Sequence, residues 1–452
     1  MLIMSCTDEA SKSLISKEIV ETIANPYIIS EDKAITEALA FTEKTNKSQQ
    51  SKGVFKESLS TESVSPRSFD QASNRTASVK TKKYGVRIEE DSKNGREVRQ
   101  EIPVYTINYK DENGKDAGYV VMVGDERILG NILIFSDDDC GMFDMEQRDD
   151  ADFLEDMIAG YLYKNINAKE VNNPVTTRSS VTIMLDSIVV LGLNGDPYYS
   201  YSPFYYGPRC LTPPVATAMG EIMAWHKHPK IGTFPRYTTM NNPSSVVSVS
   251  YNLSSAERSI LCTNNTMTIL SNPVVSEYVS NLLAETGYRL DTQYGILASF
   301  ANPIDAQSVF QEMGYLAGMV LSNYNFNTVK TDILNILPVY MYGTGSSFGM
   351  PFSIYPYVIY GVRNETNNGV VSDFLFLVDG LVNSIGFGNP LGSWFNEKTF
   401  STNNDPLPIV LPAGTLYFTY RYNCKTITNI RPNPSKTGST NPSWRVSNNN
   451  PY

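Results

Sequence analysis

Pro214-Val215-Ala216-Thr217-Ala218-Met219-Gly220-Glu221-Ile222-Met223-Ala224-Trp225-His226-Lys227-His228-Pro229 is the best-marked helical stretch in this chain of 452 residues. Thr212 can cap it, and prolines 213 and 214 are tolerated because the amides of a first turn have no helical acceptor. Val215, Met219, Ile222 and Met223 recur at helical spacing, so a helix is predicted over 213–227. His226 continues the apolar face and reads as a packed core histidine. His228 reads as a helix-end residue near the negative pole of the dipole. These are the only two histidines. Both lie at the far end of the helix, since the eleven-residue rise from Val215 to His226 is roughly 16 Å.

Outward from this helix, a second one is expected near 274–287, with strand-like runs at 337–342, 355–360, 374–379 and 415–422. Helix first and sheet later fits an α+β domain over 181–428. Upstream, Leu14, Ile15, Ile19 and Ile23 recur at helical spacing, and Ser30-Glu31-Asp32 can start a second helix through Ile35, Ala38 and Leu39. Residues 44–82 are Ser-, Thr-, Lys- and Gln-rich and read as a polar loop. Strands follow at 104–109, 118–123 and 131–135, with Asn113-Gly114 as a turn, and imply a small antiparallel sheet. Phe153, Leu154, Met157, Ile158, Tyr161 and Leu162 mark an amphipathic helix. The expected organisation is an N-terminal stub at 1–13, a small α+β domain at 14–168, the larger domain at 181–428, and a Pro/Asn/Ser-rich tail at 429–452, extended or disordered.

The 214–229 stretch resembles the streptopain family of papain-like cysteine peptidases, whose nucleophile segment reads Cys-Val-Ala-Thr-Ala, two variable residues, Gln-Ile-Met, two more, then His and a nearby Pro. Further anchors agree in order: Asp196-Pro197-Tyr198-Tyr199 with Ser202-Pro203, then Gly287, Tyr294-Gly295, Ser299, Phe310 and Gly314-Tyr315, and Pro338-Val339-Tyr340-Met341-Tyr342-Gly343. Residues 102–163 are similar to the family's inhibitory propeptide. The resemblance implies a papain-like peptidase fold preceded by a small α+β propeptide-like domain with an antiparallel sheet. It also implies that the catalytic positions have changed. The cysteine falls on Pro214, the histidine on Tyr355, the orienting residue near Asp379, and the oxyanion glutamine around Leu193 or Asn194. A thiol peptidase needs thiolate and imidazole together, so the expectation is a catalytically degenerate member. An active peptidase with Cys210 as displaced nucleophile stays open, as does an inhibitor or scaffold acting on another peptidase through the propeptide-like domain. Any serine nucleophile would likewise lack a histidine base, although a Ser-Lys pair stays open.

Composition narrows the partners. A net charge of −10 and pI near 5.0 give no general attraction to phosphate backbones, so no nucleic-acid partner is expected. No apolar run is long enough to span a membrane. Met1-Leu2-Ile3-Met4-Ser5-Cys6 reads like the end of a bacterial lipoprotein signal, making Cys6 the candidate lipid attachment site, with a free thiol near a frayed terminus as the alternative. Cys140, Cys210, Cys262 and Cys424 lack metal-ligand spacing, and one or two disulfides are open. The acidic run from Asp137 to Asp150 lacks the ligand pattern of a calcium loop. No metal or cofactor is expected. Tyr198, Tyr199, Tyr205, Tyr206 and Tyr357 are candidate cleft-lining residues, and a β-rich core with tyrosines at its rim is the alternative. The expectation is an exported protein, lipid-anchored at the bacterial outer membrane, that binds peptide or protein as accessory to a surface complex.

Overall fold

The computed structural model describes residues 19–51, 76–88, 96–128, 130–136, 142–147, 151–167, 182–185, 212–239, 242–262, 271–293, 299–347, 350–367, 370–379, 393–400, 407–410, 418–420 and 423–439. Up to residue 167 the elements are β1 (Ile19–Ile23), α1 (Glu31–Ser51), β2 (Thr76–Arg87), β3 (Arg96–Lys110), β4 (Asp116–Val123), β5 (Ile132–Ser136) and α2 (Ala151–Ile166). Next come β6 (Thr182–Met184), α3 (Pro214–His226), β7 (Ile231–Thr239), β8 (Asn242–Ser250), α4 (Ser255–Leu261), α5 (Pro273–Arg289), α6 (Ala306–Glu312), β9 (Val320–Asn323) and α7 (Phe326–Leu334). The rest is β10 (Val339–Ser347), β11 (Met350–Asn367), β12 (Val370–Asp379), β13 (Ser393–Asn396), β14 (Leu407–Val410), β15 (Phe418–Tyr420) and β16 (Asn423–Thr428). The class is α+β, as the element order in the sequence implied.

Among the described residues, fourteen strands form one sheet in the order β15-β14-β2-β3-β4-β5-β13-β12-β11-β10-β16-β9, with β1 added to β3 and β6 to β11. The small N-terminal sheet is therefore not separate. It continues into the C-terminal strands where β5 pairs with β13 (Phe135 opposite Trp394, Ile134 opposite Phe395), and meets them again where β14 pairs with β2 (Ile409 opposite Val86). β7 and β8 form a hairpin of their own.

Several local expectations change. Residues 19–23 form a strand rather than part of a helix, pairing in parallel with β3 from Ile19 opposite Arg96 to Ile23 opposite Gln100. Four of those five residues are β-branched and favour extended backbone, which outweighs an apolar spacing that also suits a helix. Of the polar loop expected over 44–82, residues 44–51 belong instead to α1 and 76–82 to β2, and 52–75 lie outside the described residues. Thr42 and Thr45 are buried in α1 and donate their hydroxyls back to the Ala38 and Thr42 carbonyls, which lets polar residues stay helical. In β2 the alternation changes phase: Ala77 and Val79 are half-buried in its first half, Tyr84 and Val86 are buried in its second, and Lys80, Lys82 and Lys83 stand between them. The run expected over 415–422 gives β15, and the longer strand there is β16.

The described part of the tail, residues 429–439, is held in place by backbone bonds. Leu316 N–H donates to Arg431 O at 2.9 Å, Asn433 N–H to Gly314 O at 3.0 Å, and Lys230 N–H to Thr437 O at 2.9 Å. Asn429–Ser439 is thus a strap across the end of α3, held by these backbone bonds, with the Ile430 side chain buried beneath it.

Candidate active site

Pro213 is the N-cap of α3 and makes no side-chain cap. Its carbonyl instead accepts from Ala216 and Thr217 N–H, while the Thr212 hydroxyl, the expected cap, has no hydrogen-bond partner. Pro214 occupies the first helical turn and is half-buried. Every residue from Val215 to Ala224 is buried, Thr217 and Glu221 included, so the helix is enclosed on all sides. α3 packs against β10 and β11, the strands at the centre of the C-terminal half of the sheet.

The helix stops at Lys227, which takes a left-handed conformation with φ 56°. His228 follows, joined to Pro229 by a cis peptide bond. His228 is 7% exposed, its Nε2 lies 3.0 Å from Gly314 O, and its ring meets Tyr315 edge-on at 5.1 Å. The Tyr315 hydroxyl donates back to His228 O at 3.1 Å. This close approach needs a glycine at 314, because a Cβ there would stand 2.7 Å from His228 Nε2, and its φ of +89° also favours glycine. Burial lowers the His228 pKa. His228 thus lies just past the helix end, as a buried, hydrogen-bonded ring.

His226 packs as a core-type ring, edge-on to Trp225 at 4.8 Å and to Tyr315 at 5.7 Å. Burial pushes its pKa down to about 4, a hydrogen bond to the Ile430 backbone opposing the shift and His228 adding slightly to it. Its Nε2 has no hydrogen-bond partner. Both imidazoles are thus held at the C-terminal end of α3, against Tyr315 and the strap.

At the sheet, Tyr355 stands in β11 opposite Gly343 of β10, and Asp379 ends β12 opposite Tyr357. Tyr357, a candidate cleft-lining residue, is 1% exposed and belongs to the core, as does Tyr360. The other vestigial and lining positions (Leu193, Tyr198, Tyr199, Tyr205 and Tyr206) lie outside the described residues, as do Cys210 and Cys6. The structure thus sets α3, which begins at Pro214, against the strands that bear Tyr355 and Tyr357. Of the cysteines it describes, Cys262 is half-buried and Cys424 is buried. No helix among the described residues is long and apolar enough to cross a membrane.

One polar cluster escaped the sequence reading. Glu285, fully buried on α5, accepts from Arg289 Nε at 3.1 Å and Nη2 at 2.8 Å, from the Tyr251 hydroxyl at 2.8 Å and from Thr233 N–H at 3.2 Å. Arg289 goes on to Glu312 Oε2 at 3.3 Å and Thr233 O at 3.1 Å. The cluster ties α5, α6 and β7 together, and Ser439 of the strap joins it by accepting from Thr233 N–H. The i,i+4 spacing of Glu285 and Arg289 was the one available signal.

Among solved structures, the chain is similar to a prointerpain A fragment from Prevotella intermedia, with 13% identity and a TM-score of 0.42 over 78% of this chain and 100% of that one. It is also similar to the active wild-type interpain A cysteine protease of Prevotella intermedia, with 16% identity and a TM-score of 0.31 over 53% of this chain and 93% of that one. No curated protein matches it. Residues 194–369, which include α3 and the strands it packs on, match the Peptidase C10 family. Over that region, which is less than half of the chain, the sequence is similar to the Peptidase C10 family.

Proposed function

We propose that this chain is a non-catalytic member of its family, exported, lipid-anchored through Cys6 at the outer membrane, and engaged in binding peptide or protein as accessory to a surface uptake or processing complex. The observation that carries the reading is the placement of the two imidazoles. Thiol catalysis needs a general base within hydrogen-bond reach of the nucleophile. His226 and His228 are instead packed at the end of α3 remote from Pro214, one edge-on to Trp225 and Tyr315, the other bonded to Gly314. Pro214 itself offers no nucleophile. In related catalytic systems, loss of nucleophile or base alone lowers turnover about a million-fold.

Fluorescent casein incubated with rigorously pure protein tests this, alongside a thiol-directed active-site probe. No cleavage above buffer and no Cys210-dependent labelling are expected. Casein cleavage together with labelling that Cys210→Ala abolishes would favour an active peptidase and sink the reading. The anchor is tested separately: Cys6→Ala should move the protein from the membrane to the soluble fraction, and crosslinked pull-down from native membranes should recover a membrane complex.

A further inference from the structure

The family's propeptide is a removable cover, but the contacts between the N-terminal region, ending at residue 167, and the C-terminal region, starting at residue 182, are of another kind. The two regions share one sheet through two strand joints, β5 with β13 and β2 with β14. At the first joint Phe135 of β5 stacks on Trp394 of β13 and meets Phe374 of β12 edge-on at 5.1 Å, while Phe41 of α1 closes on Phe135 at 4.9 Å. All four rings are at most 3% exposed.

Polar bonds cross the same seam. Asn396 Nδ2 donates to Ile132 O at 3.0 Å, Lys44 Nζ donates to Thr366 O at 2.8 Å, and the Tyr119 and Ser393 hydroxyls bond each other. At its centre lies Arg363 of β11, 1% exposed. Its guanidinium sits 5.3 Å from the Phe135 ring and 5.5 Å from the Trp394 ring, with Nε donating to Glu365 Oε1 at 2.6 Å and Nη2 to Thr45 O of α1 at 3.2 Å. Parting the regions would expose this aromatic cluster, open two strand edges and strip a buried cation of its N-terminal partners, Thr45 O and the Phe135 ring.

We propose that the N-terminal region is an integral half of the molecule: when the chain between the regions is cut, the halves stay bound to each other, with Arg363 as the cation that fastens them. The C-terminal face formed by β13 and the far end of β11 has the N-terminal region of this same chain as its standing occupant. The inference does not depend on whether the old site is active.

Its test uses the full chain with a recognition sequence for a site-specific protease introduced between residues 168 and 181. After complete cutting, size-exclusion chromatography with light scattering at micromolar concentration should give one peak at the mass of the uncut chain, 50.3 kDa. Separate peaks for the halves, or loss of either half to aggregate, overturns the proposal. In the cut protein Arg363→Met should raise the dissociation rate of the halves at least about tenfold, since it leaves Glu365 buried and unpaired. Should that variant not fold, Arg363→Lys keeps the charge but lacks the planar fork that serves Glu365 and Thr45 together, and the same direction of change is expected. Unchanged dissociation in a folded Arg363 variant overturns the role of Arg363.

Discussion

Replacing His226 with phenylalanine isolates the contribution of a single packed imidazole to stability. Burial holds the native His226 pKa down to about 4 from 6.5. An unfolded chain takes up that proton near pH 6.5, whereas the folded protein resists until about pH 4. The stability supplied by the neutral ring is thus complete above pH 6.5, falls as pH drops toward 4, and levels off below it. The difference between 6.5 and about 4, at 1.36 kcal/mol per unit, sets a ceiling of about 3 kcal/mol. His226 is only partly buried, so solvent screening brings the expected value to about 2 kcal/mol. His228 is shifted the same way, and the carboxyl groups of Asp332 and Glu397 are raised by burial and act in the opposite direction. These groups are present in both proteins and cancel in the comparison. Urea unfolding of wild type and His226→Phe, followed by circular dichroism from pH 7 to pH 4, measures the difference. Wild type should lose about 2 kcal/mol more than the variant across that range. Parallel curves would refute the assignment of His226 as an imidazole kept neutral by its surroundings.

Other outcomes follow from the same packing. Gly232→Ala would put a Cβ 2.0 Å from Glu285 Oε2 and 2.3 Å from the Tyr251 ring. Because Glu285 is fixed by Arg289, Tyr251 and Thr233, it has little room to move, so a loss of about 3 kcal/mol is expected in chemical unfolding. In the uncut chain Arg363→Met should cost about 3 kcal/mol by leaving Glu365 without its cation, and Arg363→Met/Glu365→Leu should recover most of it; a double variant no better than the single one would deny that the loss comes from an uncompensated charge. Pro214→Cys, which restores a thiol at the family position, should yield no casein cleavage because neither imidazole stands beside it, and turnover above background would contradict that geometry.

The sequence revealed α3 well because apolar periodicity and two prolines mark its start, and neither depends on distant contacts. Its end was harder to see, since nothing local says that Lys227 turns left-handed or that His228 folds back onto Gly314. β1 misled because Ile19 and Ile23 suit a helix stripe as well as a strand, and its parallel partner β3 lies far along the chain. Continuity of the sheet left no trace at all: the pairing of Ile134 with Phe395 is set by packing across the molecule. Tyr357 was a candidate cleft-lining residue and is 1% exposed, because a tyrosine's apolar body and polar tip suit either a cleft or a core. At the candidate site, Pro214 and the two histidines could be weighed from their spacing along one helix, whereas the relation of Tyr355 to Asp379 follows from strand register.

The joint between β5 and β13 also orders events during synthesis. The outer edge of β5 is complete once Ser136 has been made, yet its partner strand does not emerge until Ser393 to Asn396 are translated. Throughout that interval Ile134 and Phe135 form an apolar strand with unsatisfied amides and carbonyls, open to any other extended chain nearby. A nascent polypeptide of this design is safest when kept unfolded until its last third is available, and truncated products ending before residue 393 should be the ones that clump.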